Sequence, residues 1–125
     1  MKFYVNNFEE LEDKEKWENL FVERKIQFRV LSGEIARAYD KVGLDSSLWE
    51  NISISRGDLF SVEKKSSEWV TEKFIPDIEK GIKILTEKGS KDVIYDIEFL
   101  IDSLKQILKI AKTCSRLKRG IVIDF

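Results

Sequence analysis

Across residues 94–115 the apolar side chains Ile94, Ile97, Ile101, Leu104, Leu108, Ala111 and Cys114 recur at three- and four-residue intervals. That is about six turns of one amphipathic helix, far beyond the length of an ordinary strand. Val93, Leu100 and Ile107 widen the stripe, Ser90 is the expected N-cap, and Gly120 is the expected terminator. A helix with so broad an apolar face cannot stand alone, so the rest of the chain has to supply the layer that covers it. The chain has 125 residues, 42% of them hydrophobic and 36% charged, which suits one globular domain over 1–125. Roughly two-thirds of its unfolded surface is expected to be buried, so folding calls for neither a disulfide nor a metal.

The same helix carries the chain's charge asymmetry. Lys105, Lys109, Lys112, Arg116, Lys118 and Arg119 fill residues 103–119 with no acid among them. Because the formal net charge is −1, removing these six positive charges leaves −7 on the remaining residues. Lys105, Lys109, Lys112, Arg116 and Arg119, spaced 4, 3, 4 and 3, are expected to form one basic stripe. Acids at Asp92, Asp96, Glu98 and Asp102 load the first half of the helix, an order that the helix dipole favours, although dipole effects fade within one turn. Three readings follow: a solvated face or one paired internally with acidic helices, a site for an acidic protein partner, or a nucleic-acid surface. A calculated pI near 5.7 and the absence of aromatic residues from the stripe disfavour nucleic acid.

Upstream, Lys2–Val5 and residues 121–125 read as short terminal strands that invite pairing with each other. Glu9, Glu10, Glu12, Asp13, Glu15 and Glu18 read as acid in the first turns of a helix. From Trp17 through Phe21, Phe28, Leu31, Ile35, Ala38 and Val42 the spacing favours one long helix, broken only at Arg24. The competing reading places a strand over residues 25–30, with a new helix starting at Ser32-Gly33. Gly43 is a natural helix end. Residues 51–62, with Arg56-Gly57-Asp58 as the turn, read as a central β-hairpin. Ser66 or Ser67 caps the next helical segment, in which Pro76 marks a kink or a new start before Gly89 closes it. The expected fold is mainly α, formally α+β: a compact helical domain with a long C-terminal helix, a central hairpin and short terminal strands.

There is no histidine and a single cysteine, Cys114. Imidazole-based triads, Glu-x-x-His metal ligands and Cys/His zinc sites are thereby excluded. Cys114 itself lies on the apolar stripe and reads as a small buried hydrophobe. The glycines are too dispersed for a phosphate-binding loop, and i,i+4 acid pairs such as Asp92/Asp96 and Glu98/Asp102 are ordinary in a chain with 23 acids. No catalytic, cofactor or metal residue is therefore assigned. No apolar run reaches the length of a membrane span and no secretory leader is legible, so the expected location is the cytoplasm. Trp17 and Trp69 are expected in the core and Trp49 as a partly exposed interface anchor. The expected function is non-enzymatic protein binding, such as an immunity- or antitoxin-type inhibitor that occludes a toxin or enzyme. Its partner-binding residues would be Lys105, Lys109, Lys112, Arg116, Arg119 and Trp49. The alternatives are a nucleic-acid-associated regulator using the basic helix and a carboxylate-dependent enzyme.

Overall fold

A computed structural model of the chain describes residues 1–12, 15–26, 30–54, 62–89 and 96–124. Four strands, β1 (Lys2–Val5), β2 (Phe21–Glu23), β3 (Val62–Lys65) and β4 (Ile121–Asp124), form an antiparallel sheet in the order β2-β1-β4-β3. The two terminal strands thus pair with each other at its centre, Phe3 opposite Ile123 and Val5 opposite Ile121. Side chains alternate across a sheet, so these four residues share one face, and all four are fully buried. Tyr4, Phe21 and Val122 occupy the opposite face, joined by register.

The buried face is covered by α5 (Ile97–Arg116), which packs against β1 and β2 and against α4 (Ile75–Lys88). Leu100, Leu104, Ile107, Ile110, Ala111 and Cys114 are its buried residues nearest the stripe's axis, whereas Ile101 and Leu108 are half-buried. The predicted helix exists with its axis rotated by about one residue. It ends at Lys118 rather than at Gly120: Lys118 adopts φ 55°, Arg119 donates its N–H to Cys114 O at 2.9 Å, and Lys118 donates to Ser115 O at 3.1 Å. This is a Schellman closure with a lysine at the position usually held by glycine. The same closure ends α1 (Leu31–Lys41), where Gly43 has φ 78° as its position requires.

Two expected elements are replaced. The long helix over Trp17–Val42 does not form; Trp17–Asn19 is a single 3₁₀ turn, Phe21–Glu23 is strand β2, and among the described residues of this span only Leu31–Lys41 is α-helical. The interruption at Arg24 has a physical cause. Its guanidinium bonds Asp102 Oδ2 at 2.6 Å and Ser103 Oγ at 3.1 Å and lies 4.8 Å from the Phe99 ring centre, fastening the end of β2 to α5. The central hairpin also fails in its first strand, because Ser47–Ile54 is helix α2 and β3 pairs instead with β4. Its proposed turn, Arg56-Gly57-Asp58, lies outside the described residues, as does the proposed cap Ser90. The result is a mixed helical and antiparallel-sheet fold.

Pro76 falls in the first turn of α4, where a missing N–H is tolerated. Ahead of it, α3 (Ser67–Trp69) is capped by Ser66, whose Oγ accepts the Trp69 N–H at 3.1 Å. Between α3 and α4, Val70–Phe74 forms a π turn in which the Ile75 N–H reaches Val70 O. The wider turn brings Trp69 and Phe74 onto one side, where their rings stack at 4.9 Å and 26°.

Candidate functional site

The basic stripe is exposed at Lys105, Lys109, Lys112 and Arg116, while Arg119 lies beyond the helix end and is half-buried. Its C-terminal half is not an open cationic surface. Arg116 pairs with Glu15 at 2.5 Å, Arg119 approaches Glu10 at 4.0 Å, and Lys112 approaches Glu79 at 4.0 Å. The two charge clusters of the sequence therefore meet each other. Such exposed pairs are worth about 0–1 kcal/mol each, so they locate the N-terminal segment more than they stabilise it. Among the described residues, Lys105 and Lys109 have no acidic partner. The acids also lose their expected role: among the described residues of the segment the helical elements are the three-residue turns at Phe8–Glu10 and Trp17–Asn19, too short to carry a helix dipole. Asp102 is engaged by Arg24.

Two tryptophans exchange their expected roles. Trp49, expected as an interface anchor, is fully buried because α2 places it and Ile52 three residues apart on an inward face. Its indole N–H donates to Asp77 Oδ1 at 2.8 Å, and its ring meets Tyr39 and Phe74 with centroids at 6.4 and 5.5 Å. Trp17, expected in the core, is 68% exposed. It stands edge-to-face on Phe8 at 5.0 Å, and Phe8 stands likewise on Tyr4 at 5.6 Å. Tyr4 in turn lies opposite Phe21, itself exposed, in the β1–β2 register. Four aromatic residues thus form a ledge on the outer side of the sheet. Glu9, Glu10, Glu12 and Glu18, neighbours in sequence, are all exposed. The sequence signal for this ledge was the position of Trp17 between Lys16 and Glu18, inside a run of acids.

A second feature is a cleft of about 430 Å³ between α2, β3 and the α3–α4 segment, lined by Asp45, Glu63, Lys65, Trp69, Lys73 and Asp77 among others. Behind it, Asp77 Oδ1 accepts both the Trp49 indole N–H and the Tyr39 hydroxyl, the latter at 3.0 Å. Burial pushes the Asp77 carboxyl above the usual carboxylate range despite these two donors. Burial and the neighbouring Asp77 carboxylate also hold the Tyr39 phenol far above its ordinary value. Cys114 is fully buried, and burial pushes its thiol up to about 12. It therefore stays a thiol at neutral pH.

Among the described residues, no three His, Cys, Asp or Glu side chains are grouped to hold a metal ion, and no helix is long and apolar enough to cross a membrane. No family model matches this chain, and no curated protein or solved structure is found similar to it.

Proposed function

We propose that this protein is a non-enzymatic cytoplasmic binding domain that occludes a basic surface of a protein partner, in the manner of an immunity- or antitoxin-type inhibitor. The observation that carries this reading is Trp17, a large aromatic side chain 68% exposed and braced by Phe8 and Tyr4. Tryptophan is among the commonest interface hot spots, and a braced ring loses little conformational freedom on docking. The exposed acids of the same segment favour a cationic partner and exclude acidic ones. The basic stripe supports an acidic partner or nucleic acid less well, since Lys112, Arg116 and Arg119 face Glu79, Glu15 and Glu10. Among the described residues, the cleft at Asp77 is where a carboxylate-dependent enzyme would find a concave acidic site.

The test is affinity capture from the source cells followed by calorimetry with the captured protein. We expect Trp17→Ala to weaken binding by at least about tenfold, the scale of a hot-spot truncation, with the melting temperature unchanged. Unchanged affinity in that variant would remove the ledge from the interface.

A further inference from the structure

Glu63 and Lys65 lie two residues apart on β3 and therefore share its inner face, where both line the cleft. The Lys65 ammonium is held there by Glu63 Oε1 at 2.8 Å and lies 5.3 Å from the centre of the Trp69 ring. A carboxylate beside an indole face is the chemistry by which proteins recognise ammonium groups. The seat is incompletely satisfied, because the other Glu63 oxygen, Oε2, is buried and among the described residues has no hydrogen-bond partner. Such an orphaned acceptor costs about 1–3 kcal/mol. The Lys65 side chain is the more solvent-accessible of the pair, 32% exposed against 17% for Glu63.

From this we infer that the cleft is a binding site for a small molecule carrying a primary ammonium group, which takes the seat that Lys65 now fills. When the flexible Lys65 side chain swings out to solvent, the ligand ammonium bonds Glu63 and lies over Trp69. Asp45, Glu63 and Asp77 then face the ligand with Lys73 as the one cation remaining among the charged lining residues. The volume, about 430 Å³, lies within the range of small-molecule sites. The π turn has a consequence here, since it stacks Trp69 on Phe74 and so fixes the indole at the cleft wall. Lys65 is then an internal competitor, and the affinity for a free amine is reduced by the fraction of time it occupies the seat.

The inference is independent of the protein-binding reading, and its test involves no partner. The indole N–H resonance of Trp69 is followed while n-butylammonium chloride is added, with sodium butyrate as the probe of equal chain length and opposite charge. We expect a saturable shift with n-butylammonium and none with butyrate. Lys65→Met, which keeps an unbranched apolar stem and removes the competing ammonium, is expected to bind n-butylammonium at least tenfold more tightly, and Glu63→Gln added to it abolishes that gain. Lys65→Gln serves in its place if the Met variant loses helical circular dichroism. Equal shifts with butyrate, or a folded Lys65 variant that binds no more tightly than the parent, overturn the assignment.

Discussion

Asp77 is a partly buried carboxylate that accepts two hydrogen bonds on one oxygen and is nevertheless pushed toward its protonated form by desolvation. Its folded pKa is raised, so the folded state holds the proton more tightly than the unfolded chain does. Its contribution to stability is therefore fully present below the ordinary carboxylate value of about 4 and is lost as pH rises through the raised value. Asparagine keeps an acceptor for Trp49 and Tyr39 and carries no charge to desolvate. Asp77→Asn is expected to be more stable than the parent at pH 7, with the difference shrinking as pH falls to 4; urea unfolding at the two pH values measures it. A single residue also decides how α5 ends. Lys118 sits at φ 55°, which costs an L-residue with a side chain about 1 kcal/mol. Lys118→Gly is expected to raise stability by about 0.5–1 kcal/mol in the same assay, since glycine takes this conformation without strain. The glycine at 120 is therefore not the helix terminator, since the closing hydrogen bonds of Arg119 and Lys118 place the left-handed residue two positions earlier.

Where α1 crosses α4, Gly81 lies directly under the Tyr39 ring, and a Cβ there would run into the phenol oxygen. Helix propensity alone predicts that Gly81→Ala stabilises an exposed helix by about 1 kcal/mol. Here the contact has the opposite sign, because Tyr39 is buried and anchored to Asp77 and cannot retreat without losing that bond. We expect Gly81→Ala to lower unfolding free energy by about 1–3 kcal/mol, the usual cost of overpacking, checked by urea denaturation. At this scale legibility followed locality. Helix α5 could be read from sequence because its burial repeats along one segment, and the cap at Ser66 and the closure at Gly43 are equally local. Strand β2 could not, since Phe21 and Val22 are strand residues only by pairing with Tyr4 and Phe3, and the 3–4 spacing from Trp17 onward, interrupted only at Arg24, is equally that of a helix. Helix α2 is masked in the sequence for a similar reason. The alternation Ile52-Ser53-Ile54 mimics a strand, whereas the inward pair is Trp49 and Ile52, three apart. The cleft was invisible because Glu63, Trp69 and Asp77 meet only once β3 and the π turn are placed.

Over the whole molecule, the fold closes its two ends together: β1 and β4 form the sheet's centre, and the arginines following the core of α5 reach back to Glu15 and Glu10. Two of the cations of the basic stripe, Arg116 and Arg119, are thereby engaged by the chain's own N-terminal segment, and with a net charge of only −1 a partner is steered by how the charge is distributed, the exposed acids Glu9, Glu12 and Glu18 on one side and Lys105 and Lys109 on the other. Long-range charge of this kind acts mainly on association rate and is screened over roughly 8 Å at physiological salt. Two sets of substitutions separate the competing surfaces. Reversing Glu9 and Glu18 to lysine is expected to slow association with a cationic partner by about tenfold at low salt, with little change in dissociation, because both side chains are exposed and steer more than they dock. Reversing Lys105 and Lys109 to glutamate, the two stripe residues without acidic partners among the described residues, is expected to leave that rate unchanged or to increase it slightly. Stopped-flow association across a salt series measures both. A rate that falls only in the lysine reversal, together with affinity that drops steeply with salt for a nucleic-acid probe, would return the functional surface to α5.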